Sequence, residues 1–124
     1  MAKKRPVYLN LFKIKLPLPG AVSFLHRISG ALLFIAIPFL LAVLQQSLAS
    51  TESFGQTREC LASPPVKLLV VGAAWAFFHH FFAGLRFLAL DLDIGGDLPV
   101  ARKTSGLVLA GGIVAAVLTG ACIW

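Results

Sequence analysis

Residues 28–51 read ISGALLFIAIPFLLAVLQQSLAST, 24 consecutive positions without a charge. A helix that crosses a bilayer needs about 20 predominantly apolar residues, so this run is long enough to span one. Two further runs resemble it: the 18 residues between Lys67 and Arg86, and the 21 from Thr104 to Trp124. The remainder of the 124-residue chain is too short to wrap three such segments in polar structure. Only 13% of its residues are charged and 58% are hydrophobic, against about 25% charged in soluble domains. The mean hydropathy is +0.88. The first run exceeds the roughly 7–15 apolar residues of a secretory signal, and no small-residue cleavage site follows a short core. The expected fold is therefore an all-α membrane protein with three transmembrane helices. It forms one domain over 1–124, with a basic arm over 1–20 and helices near 21–50, 65–91 and 102–124.

The net charge of +6 follows this topology, so it is not read as a nucleic-acid signal. Lys3, Lys4, Arg5, Lys13 and Lys15 precede the first span, and Arg86, Arg102 and Lys103 flank the second connection. The first connection holds only Arg58, with Lys67 at its edge. Cytoplasmic loops carry the excess of Lys and Arg. The N-terminus and second connection are thus expected in the cytoplasm, or in a mitochondrial matrix, with the C-terminus opposite. Two cysteines, Cys60 and Cys122, give no disulfide framework.

Pro17 and Pro19 in LPLPG (16–20) hold their preceding residues extended, so the first helix is expected after them. Pro38 lies inside that helix and predicts a kink. TESFGQTRECLAS (51–63) reads as the polar loop, Pro64-Pro65 as the opening of the second helix, and DLDIGGDLP (91–99) as a Gly-rich turn. The third helix carries Gly106, Gly111, Gly112, Ala115, Ala116 and Gly120, and small residues let helices approach closely in lipid.

Ionisable groups inside a span are functional hypotheses. Ser23, His26 and Arg27 open the first span, while His79, His80 and Arg86 lie in HHFFAGLR (79–86), where the second returns to the same leaflet. At about 1.5 Å per residue, His80 lies about 9 Å deeper than Arg86. With about 100° between neighbours, His80 shares a face with Ala73, Ala76, Ala83 and Gly84, where a flat ring such as a porphyrin could lie. His79 points toward Gly72, Trp75 and Arg86. Adjacent histidines diverge from one backbone and cannot clamp one iron from opposite sides. A haem between two imidazoles would need another ligand, His26 from the interface end of the first helix or, better placed, a histidine of a partner. His26, Arg27 and Arg86 lie at the depth of haem propionates. Snorkelling, lipid anchoring and interhelical hydrogen bonds explain the same residues. Ser23 and Arg27 share a face and could bind a quinone carbonyl, or serve as a helix cap and a lipid anchor.

RPVYLNLFKIKLPLPGAVSFLHRISG (5–30) resembles the N-terminal signature of the cytochrome b556 subunits of succinate dehydrogenase, a family of small membrane anchors. Its Ser-x-x-His-Arg-x-[Ser/Thr]-Gly element is matched by Ser23, His26, Arg27, Ser29 and Gly30. A second motif, His-x-x-x-Gly-[Leu/Ile]-Arg-His with a following Asp, is matched by His80, Gly84, Leu85, Arg86 and Asp91. The resemblance covers essentially the whole chain. It implies a place in a heteromeric helical bundle, with His80 as an axial ligand of haem b and the other ligand on a second small membrane anchor subunit. It further implies His26 and Arg27 near the propionates, and Ser23 and Arg27 at a ubiquinone site beside the iron–sulfur subunit. A flavoprotein subunit makes up the rest of the implied complex, in a bacterial inner membrane with the N-terminus cytoplasmic. One position departs: Phe87 stands where the family usually has a histidine. The anchor of a fumarate reductase and a non-redox membrane scaffold are the competing readings. No flavin or cluster motif is present, so succinate chemistry is expected on the partners.

Overall fold

The computed structural model describes residues 13–124. Lys3, Lys4 and Arg5, with most of the basic arm and the start of the N-terminal signature, lie outside the described residues. Four helices follow: α1 Leu18–Ala49, α2 Thr51–Ala62, α3 Pro64–Asp91 and α4 Leu98–Ile123. Helices α1, α3 and α4 are long and apolar enough to cross a membrane, and the protein is a multi-pass membrane protein.

The helix starts differ from the sequence expectation for one shared reason. Helix α1 begins at Leu18 with Pro19 in its first turn, and α4 begins at Leu98 with Pro99 in the same place. The first backbone N–H groups of a helix have no intrahelical acceptor, so a proline there gives up nothing and fixes a helical φ. Pro17 caps α1 in extended geometry, so LPLPG opens the helix instead of blocking it. Pro38 lies within α1, which stays helical on either side.

The expected polar loop over 51–63 is instead helix α2. Ser50 supplies the start signal. Its hydroxyl accepts from the Ser53 backbone N–H at 3.1 Å, and the Ser53 hydroxyl accepts from the Ser50 N–H at 2.9 Å. This reciprocal capping box satisfies two donors that a helix end otherwise leaves orphaned. Helix α2 returns along the end of α1. The turn from α3 to α4 places Asp93 at φ 60° and Gly95 at φ 84°, a left-handed conformation that glycine adopts freely and aspartate tolerates.

Helix α3 packs on both α1 and α4. Val22 of α1, Ala83 of α3 and Val108 of α4 meet at the centre. The buried face of α4 runs Ala101, Ser105, Val108, Gly112, Ala116, every third or fourth residue and all small or medium. At Gly112 a Cβ would sit 3.3 Å from the His79 Cα, so the two helices pack closely where a small residue lets their backbones approach. Phe34, Leu48 and Leu107 are each more than 70% exposed. An outward apolar surface of this kind faces acyl chains or other membrane helices, since lipid imposes no cost on it.

Candidate functional site

The fold brings His26 and His80 together from distant parts of the sequence. Their rings stack at 4.1 Å between centroids and 10° between planes. The Nδ1 of His80 lies 3.1 Å from the His26 carbonyl oxygen and 3.3 Å from the Ser29 Oγ. The Ser29 hydroxyl itself donates to the same carbonyl at 2.9 Å, so it presents a lone pair to the imidazole. Both neighbours of Nδ1 are therefore acceptors, and the hydrogen-bond network assigns the proton of the neutral ring to Nδ1. The Nε2 lone pair is left free to bind a metal.

Gly30, one turn after His26, makes this placement possible. A Cβ there would sit 2.8 Å from the His80 Cε1 and 3.2 Å from Nδ1, so any larger residue displaces the ring. Gly84 faces His26, whose Nε2 lies 3.7 Å from where a Cβ would be, an ordinary contact distance. The room expected beside Gly84 for a ligand ring is thus filled by His26. Phe87 also packs on His26, with ring centroids 5.1 Å apart and planes tilted by 52°. Sequence reasoning named Gly30 only as a motif member. The signal that could have singled it out is a residue without a side chain on the His26 face, opposite an imidazole from another helix.

The other polar residues separate into distinct places. Ser23 is half-buried and Arg27 exposed, one turn apart on α1 beside His26. Arg86 turns toward α4, where its Nε donates to the Thr104 Oγ1 at 3.0 Å. His79 is fully buried within this single chain. Its ring stacks on Trp75 at 5.3 Å, and neither ring nitrogen has a hydrogen-bond partner among the described residues. A residue with no exposed surface is closed to an external cofactor, so His79 serves packing between α3 and α4.

A haem fits these residues on one side only. The free Nε2 of His80 is a suitable nitrogen donor, oriented by a backbone carbonyl on its other nitrogen as metal-bound imidazoles usually are. One turn from it along α3, a cleft of about 330 Å³ has a floor of Gly72, Ala73 and Ala76 and a wall of Leu32, Leu33 and Ala36. His26 lies flat on the face of the His80 ring, so it does not stand opposite Nε2.

These features define a three-span helical membrane protein with one half-buried histidine, its Nδ1 hydrogen-bonded, at the seam of two spans. The chain matches the model of the succinate dehydrogenase/fumarate reductase transmembrane subunit family over residues 1–119, and it belongs to that family. It is 38% identical to the succinate dehydrogenase cytochrome b556 subunit of Coxiella burnetii, with all of both chains covered. It is 32% identical to the subunit of the same name from Paracoccus denitrificans, over 93% of this chain and 88% of that one. A similar protein from Rickettsia conorii is 29% identical over 93% of this chain and 90% of the relative.

Proposed function

We infer that this chain is the cytochrome b anchor of a succinate:quinone oxidoreductase, contributing one axial ligand to a b-type haem and part of a ubiquinone site. The observation that carries the reading is the His80 imidazole, with Nδ1 engaged by the His26 carbonyl and the Ser29 hydroxyl and Nε2 left as the donor. A bound b-type haem supplies a one-electron store. The chain's own residues do the rest. The His26 carbonyl and Ser29 fix the tautomer and the ring plane of His80, and Gly30 keeps the space in which that plane lies. His26 and Arg27 supply donors for propionates at the same depth.

Ser23 and Arg27 orient the quinone. A hydroxyl and a guanidinium one helical turn apart both donate to a carbonyl oxygen. They polarise it as it takes up charge, and they favour the reduced oxygen over the neutral one. Any further protein ligand of that haem would come from a second small anchor subunit, since His26 stacks on His80 instead of opposing it. Electrons reach the quinone from the iron–sulfur subunit, and the flavoprotein subunit oxidises succinate. The basic flanks of the N-terminus and of the α3–α4 turn place both on the cytoplasmic side of a bacterial inner membrane.

The deciding experiment is the dithionite-reduced minus oxidised spectrum of the purified complex. A low-spin b-type signal present in wild type, absent in His80→Ala and retained in His79→Leu is the expected pattern. An intact complex with no haem signal overturns the assignment, and a fumarate reductase anchor without haem would give that result. For the quinone site, Ser23→Ala and Arg27→Leu are expected to depress succinate–quinone activity while succinate oxidation by an artificial dye persists.

A further inference from the structure

At the opposite end of α1 from the histidines, its last turns and α2 enclose a second cleft of about 390 Å³. This lies within the roughly 300–1,000 Å³ of small-molecule sites. Leu40, Val43, Leu44, Phe54 and Leu61 make its walls. Ser47, Thr57 and Arg58 line it as well, and two of these three have already used their hydrogens. The Ser47 hydroxyl donates to the Leu44 carbonyl at 2.8 Å and the Thr57 hydroxyl to the Ser53 carbonyl at 2.8 Å. Arg58 is exposed at the cleft, and among the described residues it takes part in no ion pair. Among the described residues, the cleft lining thus offers one cation above apolar walls, with no other free side-chain donor.

Depth gives the cation its setting. Helix α1 has 32 residues, about 48 Å at about 1.5 Å per residue, against about 30 Å of hydrocarbon. Its Gln45-Gln46 end and the charged helix α2 therefore lie among headgroups. From Ser47 to Leu40 the cleft wall descends about 10 Å toward the membrane interior. A ligand matching this gradient has an anion at headgroup level and a hydrocarbon chain below it.

We propose that the α1–α2 cleft is a binding site for one anionic phospholipid, its phosphate on Arg58 and one acyl chain along Leu44, Val43 and Leu40. This site is separate from the histidine cluster and independent of the haem assignment. A guanidinium holds a phosphate through charge-assisted hydrogen bonds. A neutral isoprenoid quinone offers the guanidinium no charge to pair with.

The test is native mass spectrometry of the purified complex after incubation with phosphatidylcholine vesicles with or without phosphatidylglycerol. Wild type is expected to retain one phosphatidylglycerol in preference to phosphatidylcholine. Arg58→Gln is expected to lower that retention about tenfold, the factor for loss of one charge-assisted bond. Val43→Trp, which fills the cleft and leaves Arg58 in place, is expected to abolish it. Succinate oxidation by an artificial dye reports assembly in each variant. Equal retention in wild type and both variants overturns the proposal. So does phosphatidylcholine held as tightly as phosphatidylglycerol, or a quinone as the species that Val43→Trp displaces.

Discussion

A methyl group at position 30 would lie 2.8 Å from a carbon of the His80 ring, well inside the roughly 3.5–4.0 Å of a carbon–carbon contact. Gly30→Ala is therefore expected to push the imidazole off the His26 carbonyl. The measurement is the haem difference spectrum, which should be lost or shifted to another spin state while dye-linked succinate oxidation continues. An unchanged spectrum would show that the ring has another resting place. His79 makes the opposite case. Its two buried nitrogens have no hydrogen-bond partner among the described residues, and each unsatisfied group costs about 1–3 kcal/mol. Replacing both by an apolar side chain of similar reach removes that cost. His79→Leu is accordingly expected to keep the haem signal and to leave the melting temperature of the complex unchanged or higher. In sequence the two histidines looked like a doublet. One is half-exposed at the site and the other is sealed in packing, because neighbours on a helix diverge by about 100°.

Glycines matter at the level of the helix by what lies across from them. A Cβ at Gly112 meets the His79 backbone at 3.3–3.4 Å, whereas one at Gly106 on the same helix meets nothing within 4 Å. Backbone cannot rotate aside as a side chain can, so Gly112→Ala has to separate α3 from α4. Overpacking of this kind costs about 1–3 kcal/mol, and a lowered melting temperature of the complex is the expected result. Gly106→Ala is the matched control and is expected to melt as wild type. The small-residue stripe of α4 was legible in the sequence, but which glycine bears the contact was not. Helix α2 was missed because its composition is that of a loop. Its capping box uses Ser53 where the usual pattern has Glu or Gln, so the start signal was weak.

For the whole molecule, the charge distribution and the helix order give a handedness across the membrane that can be measured. With the N-terminus cytoplasmic, α1 carries the chain outward and α2 lies on the far side. Cys60 is exposed on α2. A membrane-impermeant maleimide is expected to label it in right-side-out vesicles and to leave it unlabelled in sealed inverted ones. The reverse pattern would refute the orientation. The large exposed apolar surface of α1, on which Val22 and Ser29 are the buried positions among the described residues, faces acyl chains or other membrane helices.

The sequence by itself determined three spans, the basic flanks and the shared leaflet of His26 and His80, because these follow from hydropathy, charge and the fixed rise of a helix. It also carried both family motifs. The tertiary structure alone decided that His26 stacks on His80, that Arg86 turns to Thr104, and that Gly30 holds the space for the His80 ring. These are relations between helices, set by how α1, α3 and α4 rotate to bury their small faces. No periodicity within one segment encodes that rotation.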